Sequence, residues 1–157
     1  MVAVKYCDYG GKTSKLLLEH GADPNAVDVN GETVLFNFLN HDAGFINTNF
    51  CRSLINHGAS ASISASNGLT PLMLAAKSRD FNLISMLAYS DNCEINKRDA
   101  HGNTVLHHVL PCSKQILNML IENDADVNVK NNRGIEPFDL GNEGNRRQIS
   151  SEYVGHL

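Results

Sequence analysis

The sequence predicts an all-α solenoid of stacked helix-turn-helix pairs, and three observations carry that prediction. One short phrase keeps returning along the 157-residue chain. Asp99-Ala100-His101-Gly102-Asn103-Thr104-Val105-Leu106-His107 reappears as Asp28-Val29-Asn30-Gly31-Glu32-Thr33-Val34-Leu35-Phe36 and as Ser66-Asn67-Gly68-Leu69-Thr70-Pro71-Leu72-Met73. A worn copy is Asn131-Asn132-Arg133-Gly134-Ile135-Glu136-Pro137-Phe138. The glycines at 31, 68, 102 and 134 are 37, 34 and 32 residues apart, and a recurrence near 33 residues marks a repeat architecture. A leucine-rich phrase precedes this one at fixed phase. Gly21 after Leu17-Leu18-Glu19-His20 stands ten residues before Gly31, Gly58 after Leu54-Ile55-Asn56-His57 ten before Gly68, and Asp124 ten before Gly134. Before Gly102 the match is looser, at Met86-Leu87-Ala88 followed by Glu94-Ile95-Asn96. The third observation is periodicity: Val34, Leu35, Phe38 and Leu39 lie on one helical face.

The totals are those of one domain. With 42% hydrophobic and 19% charged residues the chain is globular and not disordered. A net charge of −4 argues against nucleic acid, which wants a basic face. No apolar run approaches the roughly 18 residues of a membrane span. Met1 to Gly11 carries one Lys and no signal-like apolar block, so an intracellular place, cytoplasmic or nuclear, is expected. Cys7, Cys51, Cys93 and Cys112 show no close pairing and read as reduced thiols.

The elements follow in order. The partial unit 1–27 opens on a helix end at Val2 to Cys7 and a second helix over Thr13 to His20, stopped by Gly21 in the left-handed conformation. Leu16, Leu17 and Leu18 there would lack an outer neighbour. In the unit 28–64, Thr33 caps a first helix, and Asn49 to His57 forms the second with Phe50, Leu54 and Ile55 inward. The surplus of its 37-residue interval falls in Asn40 to Thr48, an insertion between the helices. In the unit 65–98, Thr70 caps and Pro71 takes the first helical position, where its missing donor is harmless. Ala75 and Ala76 allow a close neighbour, and Phe81 to Tyr89 ends irregularly near Ser90 to Cys93 for want of a glycine. In the unit 99–130, Thr104 caps, Pro111 terminates the first helix, and Gln115 to Asn123 forms the second with Ile116, Leu120 and Ile121 inward. The last unit, 131–157, decays: Glu136 stands where Thr would cap, and Asn145, Arg146, Arg147 and Gln148 give a polar C-terminal cap, with Ile149, Tyr153 and Val154 inward.

These phrases resemble the ankyrin-repeat family over almost the whole chain. The resemblance implies β-hairpin-like finger loops joining successive helix pairs, and a concave face formed by the finger tips and the first helices. Projected onto this sequence, that binding face is Val29, Asn30, Glu32, Asn40 and His41; Ser66, Asn67, Leu69, Lys77 and Ser78; Ala100, His101 and Asn103; and Asn132, Arg133 and Ile135. As a largely uncharged, slightly apolar set it fits a protein partner better than a nucleic-acid groove. The resemblance also offers Asn25, after a Leu-rich helix, as a hydroxylation position for an asparaginyl hydroxylase.

Catalytic and metal chemistry are the competing readings. His101, His107 and His108 with Cys112 invite a metal, since His108 and Cys112 share a helical face at i, i+4. In the family, however, His107 holds the Thr-x-x-His position and bonds the capping Thr104. Acid pairs such as Asp23 with Asp28, or Glu122 with Asp124 and Asp126, lack a phased His and a pocket. Asn25, Asn96 and Asn128 read as residues bonding backbone across a finger. The expectation is a monomeric, non-enzymatic protein-binding module without cofactor, metal, nucleic acid or membrane. Two other readings stand beside it. One is a host-directed regulator of the viral or bacterial ankyrin kind, inhibiting a signalling or transcription factor or recruiting a ubiquitin ligase, although Gln148 to Leu157 is short for an F-box. The other is a structural fragment of a longer array.

Overall fold

A computed structural model describes residues 12–40 and 47–140. Its helices are α1 (Lys12–Glu19), α2 (Val34–Asn40), α3 (Thr48–Asn56), α4 (Pro71–Ser78), α5 (Phe81–Ala88), α6 (Val105–Val109) and α7 (Lys114–Glu122), followed by a 3-10 turn at Pro137–Asp139. The expected helix end at Val2 to Cys7, the C-terminal cap, His41 and most of the insertion lie outside the described residues.

Five helices, α2, α3, α4, α5 and α7, start where a side chain replaces a missing intrahelical acceptor. Thr33 Oγ1 accepts from Phe36 N–H at 3.2 Å, and Thr70 Oγ1 accepts from Met73 N–H at 3.2 Å. Asn47, Asp80 and Ser113 do the same for α3, α5 and α7. The second helices end one residue earlier than the apolar pattern suggests, because His57, Tyr89 and Asn123 are the half-helical C-caps. Gly58 then takes a φ of +87°. After α5 no left-handed residue follows; turn bonds from Ser90 N–H to Leu87 O and Cys93 N–H to Ser90 O close it, the irregular end the missing glycine implies. Pro111 stops α6 after five residues, with Leu110 already extended at ψ 142°.

The helices form two rows. α4 packs on α2 and on α6, and α6 reaches the 3-10 turn; α5 packs on α3 and on α7; α4 packs on α5 across the rows. Between the rows runs one apolar interior that includes Leu18, Leu35, Leu54, Leu72, Leu83, Leu106 and Leu120. Ala75 and Ala76 are fully buried at the crossing of α4 with its neighbours, the closeness their size permits. Phe38 and Phe50 meet edge to face at 5.1 Å and tie α2 to α3 across the insertion. Leu35, Leu72 and Leu106 share one interior, as a stack of repeats requires.

Candidate interaction surface

Four fingers, Asp28–Glu32, Ala65–Leu69, Asp99–Asn103 and Asn131–Ile135, have one backbone geometry. In each, the first N–H donates to the fifth residue's carbonyl (2.9–3.0 Å), and the fourth residue, always Gly, donates to the first carbonyl (2.8–2.9 Å). The glycines have φ between +74° and +77°, the left-handed region in which a Cβ is costly. Three fingers add a side-chain lock: Oδ1 of Asp28, Asp99 and Asn131 accepts from the N–H groups two and four residues on. Ala65 cannot do this, and Asn67 Oδ1 accepts from Leu69 N–H instead. The β-character is slight: among the described residues the isolated bridge is Val27 with Thr33.

The second, third and fourth fingers are bonded in series. Ala100 N–H donates to Asn67 O, and Asn132 N–H donates to His101 O, both at 2.9 Å. Asn132 Nδ2 donates to Ala100 O at 3.0 Å, and Asn131 Nδ2 to Asn103 Oδ1 at 2.9 Å. The Arg98 guanidinium, just before the third finger, donates to Gly102 O in that finger and to Lys130 O just before the fourth. The approach is close enough that a Cβ on Gly68 would stand 2.8 Å from Ala100 N, and one on Gly102 2.8 Å from Asn132 N. At Gly31 and Gly134 nothing lies within 4 Å of such a carbon.

Beneath the third finger lie the two histidines. Thr104 N–H donates to His107 Nδ1 at 3.1 Å, so Nε2 carries the hydrogen that meets Ile135 O at 3.1 Å. His107 thus joins one unit to the next. His108 Nε2 donates to Asp99 Oδ2 at 2.8 Å, a partner the sequence reading missed. The signal was present, because Asn37 Nδ2 reaches Asp28 Oδ2 over the same nine-residue spacing. Burial lowers the His108 pKa, so the imidazole is a neutral donor to the carboxylate. Burial alone would raise Asp99, but hydrogen bonds from Asn103, His108 and His101 outweigh it and hold the carboxyl below its ordinary range.

The sixteen projected binding positions divide by geometry. Val29, Asn30, Ser66, Asn67, Ala100, His101, Asn132 and Arg133 are exposed at the finger tips, and Asn40, Lys77 and Ser78 are exposed on the first-helix row. Leu69 is half-buried against the apolar interior, and Glu32 and Ile135 are also half-buried. Asn103 and Asn132 spend their side chains on neighbouring fingers. His41 lies outside the described residues.

A second set of rungs ties the loops after the second helices. Asn25 Nδ2 donates to Gly58 O at 2.7 Å and its Oδ1 accepts from Ser60 N–H at 2.8 Å. Asn96 repeats this with Asp124 O (2.7 Å) and Asp126 N–H (2.8 Å). Ser62 Oγ accepts from Glu94 N–H at the corresponding place. These polar residues bond to the next unit and not across their own finger, which corrects the expectation for Asn25 and Asn96.

Burial pushes the Cys51 thiol up to about 12 and the Cys93 and Cys112 thiols to about 11, far from a thiolate nucleophile at neutral pH. Oδ1 of Asp23 and of Asp126 accepts a backbone N–H two residues on, a turn duty. Among the described residues, no three His, Cys, Asp or Glu side chains group closely enough to hold a metal ion. No helix among them is long and apolar enough to cross a membrane.

The family model for ankyrin repeats (3 copies) matches residues 1–99 and 41–131. The chain belongs to the ankyrin-repeat family, whose repeats are modules that bind other proteins. It is similar to an ankyrin repeat protein of variola virus, 29% identical over 130 residues, covering 80% of this chain and 23% of that one. A putative ankyrin repeat protein of fowlpox virus is 43% identical over 51 residues, 31% of this chain and 12% of its own length. A putative E3 ubiquitin-protein ligase of Plasmodium falciparum is 33% identical over 98 residues, 56% of this chain and 1% of that protein. The chain therefore spans less than a quarter of the length of these relatives.

Proposed function

We propose that this chain, as an intracellular monomer without catalysis of its own, binds a partner protein through its finger tips and the exposed residues of α2 and α4, Asn40, Lys77 and Ser78. One observation carries the reading. The tips are exposed, yet the backbones of the second, third and fourth fingers are bonded in series, from Asn67 O to Ala100 N–H and from His101 O to Asn132 N–H. A surface ordered before binding loses little entropy on association. Val29, His101 and Arg133 are tip side chains exposed to solvent, so they can be changed with little cost to the stack. Capture of partners with the triple variant Val29→Asp, His101→Asp and Arg133→Glu should lose those retained by the native chain. Retention of the same partners would overturn the assignment.

A role as a regulator directed at a host protein is the second reading, favoured by the similarity to a variola virus protein across 80% of this chain. Hydroxylation at Asn25 is also proposed, but only after the Gly58–Ser60 loop has opened, because both ends of its amide are engaged. Oxidised Asn25 in the native fold, seen by intact-protein mass spectrometry without loop opening, would contradict that order.

A further inference from the structure

On the opposite row the packing loosens. α3 and α5 sit together, as do α5 and α7, but between α1 and α3 the surface opens into a groove. Lys15 of α1 lines it together with Asn49, the buried Phe50, Arg52, Ser53 and Asn56 of α3. His57 also lines it, its Nδ1–H held by Ser53 O at 2.7 Å. No carboxylate is among the lining residues, and α3 (TNFCRSLIN) carries none. The nearest acid on α1 is Glu19, whose 3.8 Å pair with Lys15 is solvent-exposed at 70% and 49% and so weakly held. In a chain of net charge −4, an opening lined by cations and amides is a local feature and not a reflection of composition.

We propose that this groove binds an acidic peptide segment, separately from the finger face. Its length argues for a peptide over a single small anion. Asn49 to His57 covers about 12 Å at ~1.5 Å per helical residue, which matches about four residues of extended chain at ~3.3 Å each. Lys15 from α1 and Arg52 from α3 both line the groove and supply charge for carboxylates, while the amides of Asn49 and Asn56 serve peptide backbone. The two faces can then be occupied together.

The test uses the whole chain at physiological salt, where exposed charges beyond about 8 Å are screened. A fluorescein-labelled hexapeptide of alternating Glu and Ala is titrated by anisotropy, and amide shifts are mapped by NMR. The expected result is binding, with shifts confined to α1 and α3. Lys15→Glu with Arg52→Glu should weaken it by about tenfold or more, and Lys15→Gln with Arg52→Gln by less, with unfolding curves unchanged. Lys77→Glu on the finger side should change it by less than about twofold. No binding, or an equal loss from Lys77→Glu, overturns the proposal. So does a stronger response to inorganic phosphate or to single-stranded RNA than to the peptide. Loss of the finger-face partners leaves this outcome unaffected, so the two assignments fail separately.

Discussion

His108 Nε2 lies 2.8 Å from Asp99 Oδ2, joining the first helix of one unit to the base of its own finger. The carboxylate is 2% exposed and also accepts the His101 and Asn103 N–H groups. In the preceding units the same nine-residue reach is filled by Asp28 with Asn37 and by the apolar Ala65 and Leu74, both buried. The third finger alone among these carries a titratable donor, and it is the finger bonded to a neighbour on each side.

That pair sets a pH dependence. Burial holds His108 below its ordinary value of 6.5, so the unfolded chain takes the proton first and stability falls as pH drops through and below 6.5. Asp99 is held below 3.8, so its contribution is lost in turn below that pH. Urea unfolding between pH 7.5 and 5.5 should show a decline that His108→Asn flattens, since the amide keeps a donor for Asp99. Parallel curves for both proteins would contradict the assignment.

Gly68→Ala should destabilise more than Gly31→Ala. Both glycines hold a positive φ, +77° and +74°, so the backbone strain cancels in the comparison. At Gly68 the new carbon would meet the Asp99–Ala100 backbone, whereas at Gly31 it meets open space. The difference in unfolding free energy should be about 1–3 kcal/mol, the usual cost of overpacking. Equal losses would mean that the fingers are not pressed together in solution.

Asn25→Ala and Asn96→Ala should each cost about 0.5–1.5 kcal/mol, the net worth of hydrogen bonds to the next unit whose freed groups water can reach. They act at different interfaces, so the double variant should be additive within about 0.5 kcal/mol. Chemical denaturation of the three variants measures this.

Leu106→Ala should cost about 2–5 kcal/mol in the same assay. Leu106 is fully buried in α6, between α4 and the 3-10 turn, so the loss should spread to both neighbours. Hydrogen exchange should show α4 and α6 opening together.

The repeats were legible because a finger needs glycine at a positive φ and a helix needs a capping hydroxyl, and both leave residue types at fixed places. Thr33, Thr70 and Pro71 announced their helices. Bonds between units were less legible. Asn25 to Ser60 spans 35 residues and Asn96 to Asp126 spans 30, and one sequence does not say that a polar side chain turns to the next unit and not its own. Asp124 takes a left-handed φ of +64° at the place, ten residues before the finger glycine, where the first two units carry Gly21 and Gly58. At the binding face, Asn103 and Asn132 read as free recognition residues because the periodicity marks framework apolars and says nothing of finger-to-finger bonds.

Site-specific photo-crosslinking tests the central claim most directly. A photoreactive residue is placed in turn at Asn30, His101 and, as an exposed second-helix control, Gln115. The account predicts that one partner protein is captured from Asn30 and His101 and not from Gln115. Capture of that partner from Gln115, with none from the finger tips, would contradict it.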